Sequence, residues 1–259
     1  MSLTPAPSQH PVSTRRDPAA SSGESPAHAP NSYLLPILGT PWALAGAGAA
    51  WNADRRLAVI ADLHLGYEWA RAMSGDVLPR HSLAETQARL ASLLDQLPVR
   101  ELIIAGDVYE SPAPCHRTKQ DHRALELWLR DRGIALTLIR GNHDPAHLSP
   151  HEELVIDGWT ITHGHRPSPA PRQILGHWHP SLKLGARATG CFIWNSRRIL
   201  LPAFSCNAAG LDIAGLQPPA DWQPPALRCA VWADTDWLDF GPLDTLATSL
   251  RQIAASPVR

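Results

Sequence analysis

Apolar residues in this chain follow two distinct periods. Residues 57–61 (LAVIA), 101–107 (ELIIAGD) and 134–144 (IALTLIRGNHD) begin as apolar runs and stop at a polar residue. Such runs mark strands buried on both faces. Residues 82–97 instead space Leu83, Leu90, Leu93, Leu94 and Leu97 at helical intervals, with Ser82 and Glu85 as a capping box and Pro98 as the stop. A second amphipathic helix is predicted over 122–133, closed by Gly133. Strand–helix alternation predicts a mostly parallel sheet with helices on both faces.

The flanking segments are richer in strands. Residues 33–66 predict short strands with a turn at Asn52-Ala53-Asp54. Residues 153–165 predict a hairpin around Asp157-Gly158, 172–180 a short strand, and 188–206 two strands turning near Asn195. A late strand over 228–234 and a weak terminal helix follow a proline-rich loop. This second half predicts another sheet packed on the first, so the fold class is α/β.

Residues 1–32 are rich in Pro, Ser and Ala and poor in large apolar groups. They predict a disordered tail, leaving 33–259 as one folded domain. No secretory apolar segment and no spanning run of eighteen apolar residues is present, which predicts a cytoplasmic protein without a membrane partner. The formal net charge of −1 gives no global pull toward nucleic acid. Cys115, Cys191, Cys206 and Cys229 are widely spaced, against a disulfide framework or zinc ribbon.

Histidine changes the picture. Eleven of the thirteen lie between His64 and His179. Five predicted strand ends carry polar tips: Asp62-Leu63-His64, Asp107, Asn142-His143-Asp144, His163-Gly164-His165 and His177-Trp178-His179. Functional groups of open α/β sheets gather beyond the carboxyl ends of strands, so the tips should converge. In Asp62-x-His64 and His177-x-His179, extended backbone would point both side chains the same way. A thiolate-free set of oxygen and nitrogen donors suits Mn²⁺, Fe or Zn²⁺, and its size suits two ions sharing a carboxylate. Two divalent ions about 3.5–4 Å apart can clamp a phosphoryl group for attack by water. Glycines at 106, 141, 164 and 176 adjoin the donors, where they would allow sharp turns.

The ordered set D-x-H, G-D, G-N-H-D, H-G-H and G-H-x-H over residues 62–179 resembles the calcineurin-like metallophosphoesterase superfamily. The resemblance implies a two-sheet β-sandwich flanked by helices. It also implies one metal on Asp62, His64, Asp107 and His179, and a second on Asp107, Asn142, His163 and His177. His143 would protonate the leaving oxygen, and Asp144 would orient its ring. His165 would serve as a neighbouring or phosphate-contacting group, with the exchange of His163 and His165 as ligand left as the alternative.

DLHLGYEWA, VLPR at 77–80 and LPAFSCNAAGLDI at 201–213 are similar to the bacterial and archaeal branch associated with DNA ligase or a DNA-repair helicase. This implies a DNA-directed phosphodiesterase or endonuclease with such a partner. Cys206-Asn207-Ala208-Ala209 departs from the branch's usual aromatic and glycine-rich form. Arg80 is a candidate phosphate contact, with Arg117 and Lys119 as further cations. His81, His116, His122, His147 and His151 are expected at the surface, and Trp178 must turn away from the donors or over the cleft. Competing functions are a phosphatase or cyclic-nucleotide phosphodiesterase, and a non-catalytic binding module.

Overall fold

The computed structural model describes residues 33–184, 187–208, 210–219, 222 and 226–255. The tail expected over 1–32 lies outside the described residues. A first sheet joins β1 (Leu34–Pro36), β2 (Trp42–Ala45), β3 (Ala49–Asn52), β4 (Leu57–Ile60), β5 (Glu101–Ala105) and β6 (Ala135–Ile139) in sequence order. The first three connections are antiparallel, and β4–β5–β6 are parallel. Helices α1 (Tyr67–Met73) and α2 (Ser82–Gln96) cross from β4 to β5, and α3 (His116–Arg130) crosses from β5 to β6. The third helix therefore starts six residues before the apolar periodicity at 122 suggested.

Next come β7 (Glu153–Ile156), β8 (Trp159–Thr162), β9 (Gln173–Leu175), β10 (Pro180–Leu184), β11 (Arg187–Gly190), β12 (Phe192–Trp194), β13 (Arg198–Leu200), β14 (Leu211–Asp212), β15 (Arg228–Ala233) and β16 (Asp236–Pro242). A second sheet runs β16-β15-β12-β13-β9-β8-β7, while β11-β10-β14 form a small third one. The predicted hairpin closes in two residues, with Asp157 at φ 49° and Gly158 at φ 75°. Positive φ at both positions matches the twist of the strands they join. Helix α4 (Leu243–Ala255) ends the described chain.

Three apolar layers explain the stacking. In β4, Ala58 and Ile60 pack with Leu90, Leu93, Leu125 and Leu129 of α2 and α3. Leu57, Val59 and Ala61 face the other way, onto Trp159, Ile161, Ile174, Phe192 and Ile199 of the second sheet. The second sheet's far side sets Leu175, Ile193, Leu200 and Val231 against Leu243, with Leu246 and Leu250 at the margin. The order is helices, sheet, sheet, helix. Helices do not cover both faces of the first sheet, as the alternation suggested. Strand residues that are apolar on both sides cannot show whether a helix or a sheet covers each one.

The predicted capping box does not form. His81 is the N-cap of α2 and makes no side-chain cap bond. Instead Glu68 of α1, buried, accepts the His81 and Ser82 backbone N–H groups through Oε1 at 2.7 and 2.6 Å. Ser82 Oγ accepts from Asn207 Nδ2, and Glu85 contacts Cys206. One carboxylate thus ties α1 to α2 and opposes the helix dipole. Burial raises the Glu68 pKa, but the bonds from Ser82 and His81 outweigh it and leave it below the ordinary value.

Replacing Glu68 with Ala should destabilise the fold by about 1–2 kcal/mol, the usual worth of a lost cap. Urea unfolding at pH 7 measures it. Because the folded pKa is lowered, Glu68's charge-dependent contribution is present above the ordinary glutamate range and lost as pH falls through the lowered value. The gap between native protein and the Glu68→Ala variant should therefore narrow in acid.

Candidate metal centre

The polar tips come from both sheets. Asp62 and His64 follow β4, Asp107 follows β5, and Asn142, His143 and Asp144 follow β6; His163 and His165 follow β8, and His177 and His179 follow β9. Strands β4 to β6 are neighbours in one sheet, as β8 and β9 are in the other. The centre therefore lies where the carboxyl ends of strands from two sheets meet, not along one sheet of five neighbouring strands.

Backbone conformation departs from the expected extended form. Asp62, His64, Asp107, His177 and His179 have φ of 60, 48, 47, 67 and 41°. Left-handed backbone costs a non-glycine residue on the order of 1–2 kcal/mol. The paired donors meet because each strand end is wound back, held by bonds such as Asp62 N–H to Gly106 O and His64 N–H to Asp107 O, both 3.0 Å. Two glycines make the room. A Cβ on Gly106, itself at φ 87°, would lie 2.4 Å from His163 Nδ1, and one on Gly141 would lie 2.1 Å from Asp107 Oδ1.

Three groups of donors result; two of them share Asp107, the first Asp62–His64–Asp107–His179 and the second Asp107–His163–His177, and the third is His64–Glu110–His143. In the first, His179 Nε2 lies 3.2 Å from Asp62 Oδ1 and 3.4 Å from His64 Nε2. In the second, His163 Nε2 lies 3.3 Å from Asp107 Oδ2 and 3.0 Å from Asn142 Oδ1. Asp107 belongs to both. Its Oδ1 accepts from the His143 backbone N–H at 2.9 Å, while Oδ2 is 4.0 Å from His64 Nε2. Asp62 accepts the His177 N–H on both oxygens, at 3.1 and 3.0 Å.

The donor chemistry fits a cation. His163 Nδ1 faces the Ala105 carbonyl at 3.1 Å, and a carbonyl only accepts, so Nδ1 carries hydrogen. In neutral imidazole, Nε2 is then a bare lone pair aimed at carboxylate and amide oxygens, a repulsive meeting unless something positive intervenes. A proton can serve. Burial lowers the His163 pKa, but the hydrogen bond to Asp107 and the charges of Asp62 and Asp107 lift it above the usual value. Burial likewise raises Asp107, yet His163 and the His143 amide bring it down to about 2. His177 is lowered by burial and then by His163, which favours the unprotonated donor.

The remaining expected residues sort themselves. His143 stands edge-on to His64, ring centroids 5.2 Å apart, with Nδ1 2.8 Å from Glu110 O. Asp144 does not hold that ring, contrary to expectation. Its carboxylate accepts the Tyr109 and Gly141 N–H groups at 2.9 and 2.8 Å and so fixes the turn carrying Asn142 and His143. His165 lies beside the second group, 5.3 Å from the His163 ring, with Nδ1 buried and unpaired among the described residues. Arg80 stacks 4.4 Å from the Trp69 centroid, and Arg117 shares that ring at 4.8 Å. Trp178 packs edge-on against Trp222 and stands edge-on to the ring of His177, its centroid 6.3 Å away. His122, expected at the surface, is buried with Nδ1 2.7 Å from Tyr109 Oη.

Glu110 escaped the sequence reading. Its Oε2 lies 2.9 Å from His64 Nδ1, off the direction of a good hydrogen bond, and its carbonyl holds His143. The one signal was its place three residues after Asp107. No helix among the described residues is long and apolar enough to cross a membrane.

No curated protein matches the sequence. One solved structure similar to it is that of Pseudomonas putida nuclease MPE, with a TM-score of 0.60 and 26% identity over 79% of this chain and 98% of that one. The family model described as calcineurin-like phosphoesterase matches residues 55–188, a span holding all three donor groups. The chain therefore belongs to the calcineurin-like phosphoesterase family and is a metal-dependent phosphoester hydrolase.

Proposed function

We propose that the chain is a two-metal phosphodiesterase that cuts DNA, with 33–259 as its catalytic domain. The observation that supports this most is Asp107 Oδ2 standing between two buried donor groups, 4.0 Å from His64 Nε2 and 3.3 Å from His163 Nε2. In this reading Asp62, His64, Asp107 and His179 hold one ion, and Asp107, Asn142, His163 and His177 hold the other. Two bound divalent ions, Mn²⁺ first with Fe or Zn²⁺ as substitutes, supply a water of lowered pKa and positive charge against the phosphoryl oxygens.

The protein's own groups position and transfer. The Glu110 carbonyl fixes hydrogen on His143 Nδ1, so Nε2 is the nitrogen that hands a proton to the leaving oxygen. Asp144 acts through the turn, by keeping the Gly141 and Tyr109 amides in place. The His143 amide on Asp107 Oδ1 decides which carboxylate oxygen is left for the centre. His165 Nδ1 is assigned to a phosphate oxygen. Arg80 and Arg117 carry charge on Trp69, which lines a cavity with Leu65 and Ser111, next in sequence to His64 and Glu110. They are assigned to the nucleic-acid backbone.

Similarity to nuclease MPE supports a nucleic-acid diester over a small phosphomonoester, and DNA in particular comes from the branch resemblance. A role in DNA repair and a DNA ligase or helicase partner are what the branch resemblance implies, and a cytoplasmic setting is what the hydropathy of the sequence leads us to expect.

Chelator-treated protein should lose hydrolysis of bis-p-nitrophenyl phosphate and regain it with Mn²⁺. p-Nitrophenyl phosphate should be the poorer substrate; a preference for that monoester would replace the diesterase reading with a phosphatase. His143→Ala should lower kcat by about 10²-fold or more with metal content intact by elemental analysis. Asp107→Asn should instead lose metal as well as activity; full metal retention by that variant would remove the shared-carboxylate assignment.

A further inference from the structure

A cavity of about 380 Å³ opens from His179, away from the cluster's other donors. Its walls come from the β2–β3 turn, helix α2, the β10–β11 hairpin and residues 202–206. That last segment runs beside the centre, where the Phe204 and Ser205 N–H groups bond the Ala61 and Asp62 carbonyls at 2.9 and 3.0 Å. It includes Cys206, the start of the stretch that departs from the family pattern.

Two groups in the walls have unmet chemistry. Arg89 donates Nη1–H to Phe204 O at 2.6 Å and Nη2–H to Ala47 O at 2.9 Å, and its guanidinium stacks 4.4 Å from the Phe204 ring. Both acceptors are neutral, and no carboxylate within ion-pair distance answers the charge among the described residues. A guanidinium has five N–H donors, so three stay available. Gly48 leaves the space for it: a Cβ there would stand 2.9 Å from Arg89 Nη2. Ser181 is 3% exposed, and its Oγ has no partner among the described residues. Buried hydroxyls are seldom left so. Trp232 and Phe192 add apolar surface to the same cavity.

A cation, an unpaired hydroxyl and an aromatic wall adjoining a phosphoesterase centre suit one kind of occupant. We propose that this cavity is a nucleotide subsite: the unit next to the scissile phosphate enters it, with Arg89 on the following phosphate and Ser181 Oγ turning out of its buried position to meet the sugar or base. The inference rests on the nuclease reading and adds where the strand lies. Its volume falls in the range of small-ligand sites, about 300–1,000 Å³.

Thymidine 3′,5′-bisphosphate is the probe, since one phosphate can reach the metals while the second meets Arg89. Calorimetric titration of the Mn²⁺-loaded protein should show it binding at least tenfold more tightly than inorganic phosphate. Arg89→Met should remove most of that advantage, and so should Thr189→Trp, which fills the cavity from an exposed position on β11. Thermal melting checks that both variants fold, and Thr189→Trp carries the test if Arg89→Met does not. Unchanged bisphosphate affinity in folded Thr189→Trp, or native protein that binds the bisphosphate no better than phosphate, overturns the subsite. Oligonucleotide cleavage separates the two readings. Cavity-dependent bisphosphate binding without cleavage of DNA would retain the subsite and sink the nuclease assignment.

Discussion

Asp62 and Asp107 are 0% and 2% exposed, and burial on that scale is the constraint around which the rest is arranged. A carboxylate moved out of water unpaired costs several kcal/mol, and two close together add repulsion. Backbone amides answer part of it, from His177 to Asp62 and from His143 to Asp107. Imidazoles answer more, with His163 between both acids at 3.5 and 3.3 Å. What remains is an excess of negative charge and lone pairs that only cations satisfy. The fold keeps an electrostatic conflict in place so that divalent ions can resolve it.

Holding that conflict takes rigidity. Five donor residues adopt left-handed backbone, and residues strained in this way persist only where surrounding structure over-determines them. Here the surroundings are the parallel strands β4 and β5, apolar on both faces, and the second sheet against them. Glycines 106 and 141 admit His163 and Asp107 at separations no side chain could share. Asp144 and Glu110, themselves outside the two donor groups that share Asp107, fix the His143 turn and ring.

The sequence made the candidate donors legible because chemistry repeats at strand ends: an apolar run, in most cases a glycine or alanine, then Asp, Asn or His. Their order also carried the family. The local geometry was not legible. Two residues apart on an extended strand was the wrong reason for Asp62 and His64 to meet; Asp, Asn and His are enriched at left-handed φ, but most of them are not left-handed, so residue type alone does not mark it. Glu68 illustrates a second limit: its partners at 81 and 82 lie in another helix, so the local Ser82–Glu85 pattern pointed to a cap that never forms. Helices on both faces of the first sheet failed likewise, because Leu57 and Val59 are apolar whichever layer covers them. His122 looked like surface and is core, its ring held by Tyr109 thirteen positions earlier, outside any pattern within α3.

The seam between the two sheets also orders events in time. Asp62, His64, Asp107, Asn142 and His143 come from the earlier sheet, and His163, His177 and His179 from the later one. A ribosome-bound chain that has emerged only through β6 carries the acids but none of the later imidazoles. Its neighbour sheet also needs β12, β13 and β15, which lie past residue 190. The two sets of candidate donors therefore meet only after residues past 190 have been made, and a break between β6 and β7 would part the acids from the later imidazoles.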